Sequence, residues 1–313
     1  MSAPLTIVFM GTPDFAVPSL QALLAGPDRV AAVVCQPDRG SGRGKKVSPP
    51  PVKVVAEQAG LPVLQPESVR TPAFLEAIRA LAPDLLVVVA YGRILPGSLL
   101  RLAPLGAINV HGSLLPRYRG AAPIQWAIIN GERETGITIM QLDSGMDTGP
   151  VLLSVPEPIG PEDTAGDLFT RLAALGGRTL TAALDRLRRG ELEPVPQDHS
   201  RATLAPMLTK EQGHLDWNRP AAELHCLIRG LDPWPSAYAF LDNLRLRLFR
   251  PEVVVTPADL PPGTISRADK EGLLVAAADH CLRIREVQPE GRKRMPVAAW
   301  VHGVSIPAGA RLS

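Results

Sequence analysis

The first 190 residues alternate short, unbroken apolar runs with stretches whose apolar positions recur every three or four residues. Residues 5–9, 30–36, 84–91, 107–111 and 135–142, rich in Val, Ile and Leu, are predicted to be strands. Residues 15–24, 52–59, 72–81 and 122–130 are predicted to be helices. Strands that are apolar at every position must be covered on both faces, so the pattern implies an α/β fold with a mostly parallel sheet. A last helix over 164–189 carries Leu168, Leu172, Leu175, Leu180, Leu184 and Leu187. It ends in Arg186, Arg188 and Arg189, which complement the helix C-terminal dipole, and Gly190 stops it. The first domain is therefore expected to span 1–190.

Residues 191–208 contain three prolines and no periodicity, and read as a linker. From 209 to 313 the pattern changes. A helix over 220–229 precedes β-rich runs at 237–241, 244–255, 263–266, 273–277 and 281–287, punctuated by Gly and Pro. That spacing predicts a small β-barrel.

Composition narrows the picture without deciding it. The 313 residues are 45% hydrophobic and 20% charged, enough apolar material for two cores. The 33 prolines and 27 glycines fit many rigid turns. Cys35, Cys226 and Cys281 are odd in number and far apart, which argues against a disulfide framework or a zinc site and for a reducing compartment. The start shows no secretory pattern and the longest apolar run is far short of a membrane span, so a cytoplasmic protein is expected. A net charge of +2 means that any nucleic-acid contact must come from a local cluster.

Four segments carry candidate chemistry. Gly11 to Phe15 follows a strand and opens a helix, but it lacks the spacing of a dinucleotide loop and reads as an ordinary turn. Residues 39–53 hold Arg39, Arg43, Lys45, Lys46 and Lys53 with no acidic residue, either a solvated loop or a clamp for a phosphate backbone. Asn109 and His111 share one face at the end of the 107–111 strand and could both donate to a developing oxyanion. Asp143 and Asp147 sit in a Gly-rich loop after the next strand. They serve turn chemistry, or supply a carboxylate that reaches His111.

Taken together, the run from His111 to Gly120 (HGSLLPRYRG), Ala121 to Trp126 (AAPIQW) and Asp147 to Pro150 (DTGP) resemble the folate-dependent formyltransferase family. Phe9 to Phe15 (FMGTPDF), the 36–46 loop and Asp232 to Tyr238 (DPWPSAY) narrow the resemblance to the branch acting on methionyl-tRNA; after Pro289 the sequence is less typical. The resemblance implies a Rossmann-like catalytic domain followed by a small OB-like β-barrel domain. It implies formyl transfer from 10-formyltetrahydrofolate, a co-substrate, to the amino group of methionine on initiator tRNA, with no metal. Asn109, His111 and Asp147 match the catalytic trio. Ser113, Leu114, Leu115 and Pro116, with Tyr91, Gly92 and Asp143, fall at folate-binding positions. Arg39, Arg43, Lys45 and Lys46 fall at tRNA-binding positions. The expected partners are initiator methionyl-tRNA and folate, with no membrane, and the chain is expected to act as a monomer.

Overall fold

The apolar runs of the first half form one sheet because a strand buried on both faces leaves no polar side for water. The computed structural model describes residues 4–41, 46–307 and 309–313. In chain order the first elements are β1 (Thr6–Gly11), α1 (Val17–Ala25), β2 (Arg29–Val34), β3 (Arg39–Ser41), β4 (Lys46–Ser48), α2 (Pro51–Gln58), β5 (Val63–Leu64) and α3 (Pro72–Ala80). Then come β6 (Leu85–Val89), α4 (Gly97–Leu100), β7 (Ala107–His111), α5 (Pro123–Ile129), β8 (Glu134–Gln141), β9 (Val151–Pro158) and α6 (Ala165–Arg188).

Seven of these strands join in the order β5-β2-β1-β6-β7-β8-β9. The pairings from β5 through β7 are parallel, and β8 runs antiparallel to β7. The mostly parallel, Rossmann-like sheet expected from the sequence is therefore present. The chain moves outward from β1 through β2 to β5, then returns to β6 and continues the other way. The connections leaving β1 and β6 diverge, and the carboxyl ends at such a switch point are where open α/β sheets hold their ligands. The carboxyl end of β7 lies one strand further along.

One face of the sheet packs Val8, Met10, Leu86 and Val88 against Phe74 and Ile78 of α3 and Leu99 of α4. On α6, a Cβ at Gly176 would stand 3.1 Å from Val110, and one at Gly177 would stand 2.8 Å from the carbonyl of Pro18. Glycine inside a helix costs about 1 kcal/mol relative to alanine. Here it lets α6 press against the sheet and the start of α1.

The chain forms two compact units. The first comprises residues 1–123, 135–158 and 169–206; the second comprises 124–134, 159–168 and 207–313. The second adds α7 (Ala221–Gly230), β10 (Tyr238–Leu241), β11 (Leu244–Pro257), β12 (Ile265–Asp269), β13 (Gly272–Ala276), β14 (His280–Pro289), β15 (Met295–Pro296) and α8 (Val297–Val301). Its sheet runs β10-β11-β14-β13-β12, with β15 on β14, all antiparallel. Residues 310–313 occupy the gap between the edge strands. Phe240 and Ser313 exchange backbone hydrogen bonds of 2.8 and 2.9 Å, and the Ile265 N–H donates to the Ala310 carbonyl at 2.8 Å. An edge that would otherwise be open is thereby covered. Among the described residues no helix is long and apolar enough to cross a membrane.

Candidate active site

β7 carries Asn109 and His111 to its carboxyl end, and the two-residue period of a strand sends both to one face. His111 is buried, and its Nε2 lies 3.0 Å from the carbonyl of Tyr118. A carbonyl only accepts, so Nε2 holds a hydrogen and donates it. The other ring nitrogen, Nδ1, faces Asp147, whose Oδ2 is 3.7 Å away. That is too long for a hydrogen bond but close enough for an ion pair when the ring is protonated. Nδ1 is the nitrogen left for chemistry. Asn109 is half-buried, and its side-chain amide makes no hydrogen bond among the described residues. An amide with spare donors on a rigid strand suits a developing oxyanion.

The loop after β7 is shaped from β8. The Thr138 hydroxyl donates to the Ser113 carbonyl at 2.7 Å and accepts from the Leu115 N–H at 3.2 Å. The Leu115–Pro116 peptide is cis. The Ser113 hydroxyl is buried and donates to the Arg117 carbonyl at 2.7 Å, so it serves its own loop. Leu114, Leu115 and Pro116 remain half-buried beside it.

Asp147 adopts φ +55°, uncommon for any residue but glycine. Its Oδ2 accepts from the Gly120 N–H at 2.8 Å. The carbonyls of Asp147 and Gly149, on either side of Thr148, accept from Gln197 Nε2 at 2.9 and 2.7 Å. Gln197 Oε1 in turn accepts from Arg119 Nε and Nη2 at 3.1 and 2.6 Å, and Arg119 Nη2 also donates to His199 Nδ1 at 3.0 Å. Thr203 and Ala205 hold the Arg119 backbone at 2.9 and 2.7 Å. Residues 195–205, expected to be part of a linker, are thus bonded along both loops. Arg119 and Gln197 were missed as site residues. Nothing in their spacing distinguishes them, because their partners, each other and main-chain groups among them, are far away in sequence.

The two readings of the acidic loop separate here. Asp143 is exposed, and its Oδ1 accepts from the Gly145 N–H at 2.9 Å and the Thr148 hydroxyl at 2.7 Å, as in a turn. Asp147 is the residue that faces His111. Tyr91 is packed in the core, where burial pushes its phenol up; its carbonyl accepts from Thr12 at 3.3 Å and Gln36 at 3.2 Å. Gly92, next to it, is exposed at φ +82°.

β3 and β4 pair from Arg39↔Ser48 to Ser41↔Lys46, so the basic segment has a two-stranded base. Arg43 and Lys45 lie outside the described residues, and Arg39 and Lys46 are described in their backbone alone. The fifth cation of that segment is not free. Lys53 Nζ bonds Asp38 at 2.8 Å and Gln65 at 2.9 Å. The Asp38 carboxylate raises the Lys53 pKa, and Lys53 and Gln65 lower that of Asp38. Cys35 is buried nearby, and burial pushes its thiol up to about 11, far from a reactive thiolate.

The formyl transferase family matches residues 5–184, and the C-terminal domain of formyl transferases matches 207–305, beyond Pro289 where the sequence looked less typical. The chain belongs to the formyl transferase family. This formyltransferase is 60% identical to the methionyl-tRNA formyltransferase of Desulfotalea psychrophila, over 97% of this chain and 94% of that one. It is 50% identical to the methionyl-tRNA formyltransferase of Geobacter sulfurreducens, over 99% and 97%. Among solved structures its fold is like that of WlaRD, a sugar 3N-formyl transferase (TM-score 0.68, 17% identity, 92% of this chain and 99% of that one). HypX from Aquifex aeolicus in complex with tetrahydrofolic acid also shares it (TM-score 0.65, 16% identity, 96% and 47%).

Proposed function

We propose that this formyltransferase moves the formyl group of 10-formyltetrahydrofolate onto the α-amino group of methionyl-initiator tRNA, with Asn109, His111 and Asp147 as its catalytic residues. The two relatives of 60% and 50% identity support the choice of acceptor. The observation that carries the residue roles is the 3.7 Å approach of Asp147 to His111 Nδ1, with the amide of Asn109 on the same strand face unpartnered among the described residues.

The chemistry follows from which groups are free. The amine nitrogen bonds to the formyl carbon, the bond from that carbon to folate N10 breaks, and one proton passes from the amine to the leaving nitrogen. Charge gathers on the formyl oxygen in between. The Asn109 amide donates to that oxygen, and so does His111 through Nδ1–H, since Nε2–H is already given to Tyr118. One preorganised donor of this kind lowers the barrier by ~3 kcal/mol. Asp147 accepts the amine proton, directly or through a water, and orients the imidazole. The amine is already a good nucleophile, so positioning supplies much of the rest.

Folate is assigned to the half-buried Leu114, Leu115 and Pro116, with Ser113, Tyr91 and Gly92 through their backbone and Asp143 at the rim. Arg39, Arg43, Lys45 and Lys46 are assigned to phosphates of the tRNA. The catalytic trio belongs to residues 1–190, which the 195–205 segment braces, and tRNA contact also to 209–313, in a cytoplasmic, monomeric enzyme.

A single-turnover assay with formyl-labelled 10-formyltetrahydrofolate tests the reading. Methionyl-initiator tRNA is expected to be formylated, and glycinamide ribonucleotide and amino-sugar nucleotides to be left alone. His111→Ala is expected to keep its circular dichroism and lose turnover by ~100-fold or more. Near-normal turnover in that variant would remove His111 from the chemistry, and equal use of a small amine would remove the tRNA.

A further inference from the structure

We infer that Gln197 is a positioning residue for formyl transfer, its side-chain amide fixing the backbone turn that aims Asp147 at His111. The inference rests on the catalytic role given to Asp147 above. Gln197 is 8% exposed and every polar atom of its amide is used. Its orientation follows from its partners. Arg119 can only donate, so the atom facing it is the oxygen, and the NH2 group must face the two carbonyls. Two N–H donors meet two acceptors, the carbonyl of Asp147, which has the left-handed φ, and that of Gly149 two residues on.

The same side chain also grips the other loop. Arg119, 7% exposed, gives Nε–H and Nη2–H to Gln197 Oε1, and the next residue, Gly120, gives its N–H to Asp147 Oδ2. A closed circuit results, running from the Asp147 carbonyl through Gln197 and Arg119 to Gly120 and back to the Asp147 carboxylate. Both ends of Asp147 are thereby held, and the carboxylate has little freedom beside His111. Catalysis is sensitive to this, since a misplacement of about 1 Å can cost ~100-fold in rate.

Gln197→Glu tests the proposal, because it keeps size and the oxygen for Arg119 but loses both donors to the turn. The expected result is a kcat lower by roughly 10- to 100-fold, with KM for folate and for methionyl-tRNA within about twofold of the parent. The variant is then combined with Asp147→Asn. If Gln197 acts through Asp147, the double variant is scarcely slower than Asp147→Asn alone. Should Gln197→Glu slow the Asp147→Asn enzyme by its full factor, or leave the parent's kcat untouched, the positioning role is overturned while Asp147 stands. An Asp147→Asn enzyme that turns over normally would instead refute the role of Asp147, and the inference would go with it. If Gln197→Glu fails to fold, Gln197→Asn, an amide one methylene too short to span both sides, enters the same cycle with the same expectations.

Discussion

At Gly120 two constraints meet: a φ of +123° and the carbonyl of Ala205, which would stand 2.6 Å from any added Cβ. Its N–H also holds Asp147 Oδ2. Gly120→Ala is therefore expected to lose about 1–3 kcal/mol of stability, read by urea unfolding, and to lose kcat in the molecules that remain folded. Normal turnover per folded molecule would mean that the Gly120 N–H does not matter to the carboxylate. At this scale the sequence is informative where a side chain acts through the regular geometry of its own strand. Asn109 and His111 share a face because strands alternate, and that was readable. The hydrogen bond from His111 to Tyr118 was not, since it depends on Tyr118 adopting φ +59° in an irregular loop.

Within α7, His225 is largely buried, and burial first, then the charge of Arg229, lowers its pKa to about 4. Its Nε2 is 3.9 Å from Glu162, an ion-pair distance. The two observations conflict, and burial outweighs distance because Glu162 is 76% exposed and well screened while the imidazole is not. The folded ring stays neutral to a lower pH than the unfolded one. Its contribution to stability is therefore complete above the ordinary histidine value of 6.5 and is lost as pH falls toward about 4. The loss of unfolding free energy between pH 7 and pH 4.5 is expected to be smaller in His225→Leu than in the parent, by roughly 1–2 kcal/mol after allowance for partial exposure. Equal acid sensitivity would show that His225 gains its proton as easily folded as unfolded. Elements whose stability comes from a buried stripe or a continuous apolar run were legible in the sequence: α3, α6 and β7 fall within a residue or so of expectation. Others were not. β5 has two residues and α4 four, too few to show a period, and β9 carries Pro156 and Pro158 and alternates with exposed positions at the edge of its sheet. The 195–205 segment has no period at all, because side-chain amides and main-chain groups hold it rather than an apolar face.

For the molecule as a whole, the contiguous boundary read from the sequence could not show that residues 124–134 and 159–168 join the second unit. Such membership is set by tertiary packing, for instance by Gly230, where a Cβ would come within 2.5 Å of Ile129. Charge behaves the same way. With a net +2 there is little long-range field to gather a polyanion, so attraction to tRNA must come from a local cluster of cations. In the basic segment Lys53 is paired with the Asp38 carboxylate, and Arg39, Arg43, Lys45 and Lys46 are the segment's other basic residues. If these neutralise phosphates, each contact releases counterions and adds to the salt dependence of tRNA binding. Arg43→Leu is then expected to raise the KM for methionyl-tRNA and to flatten its log–log dependence on salt by about one unit. The KM for folate should not move, because folate is assigned to the loop after β7. Steady-state kinetics at several salt concentrations checks both; a rise in the folate KM with an unchanged salt slope would mean that the basic segment serves the donor rather than the acceptor.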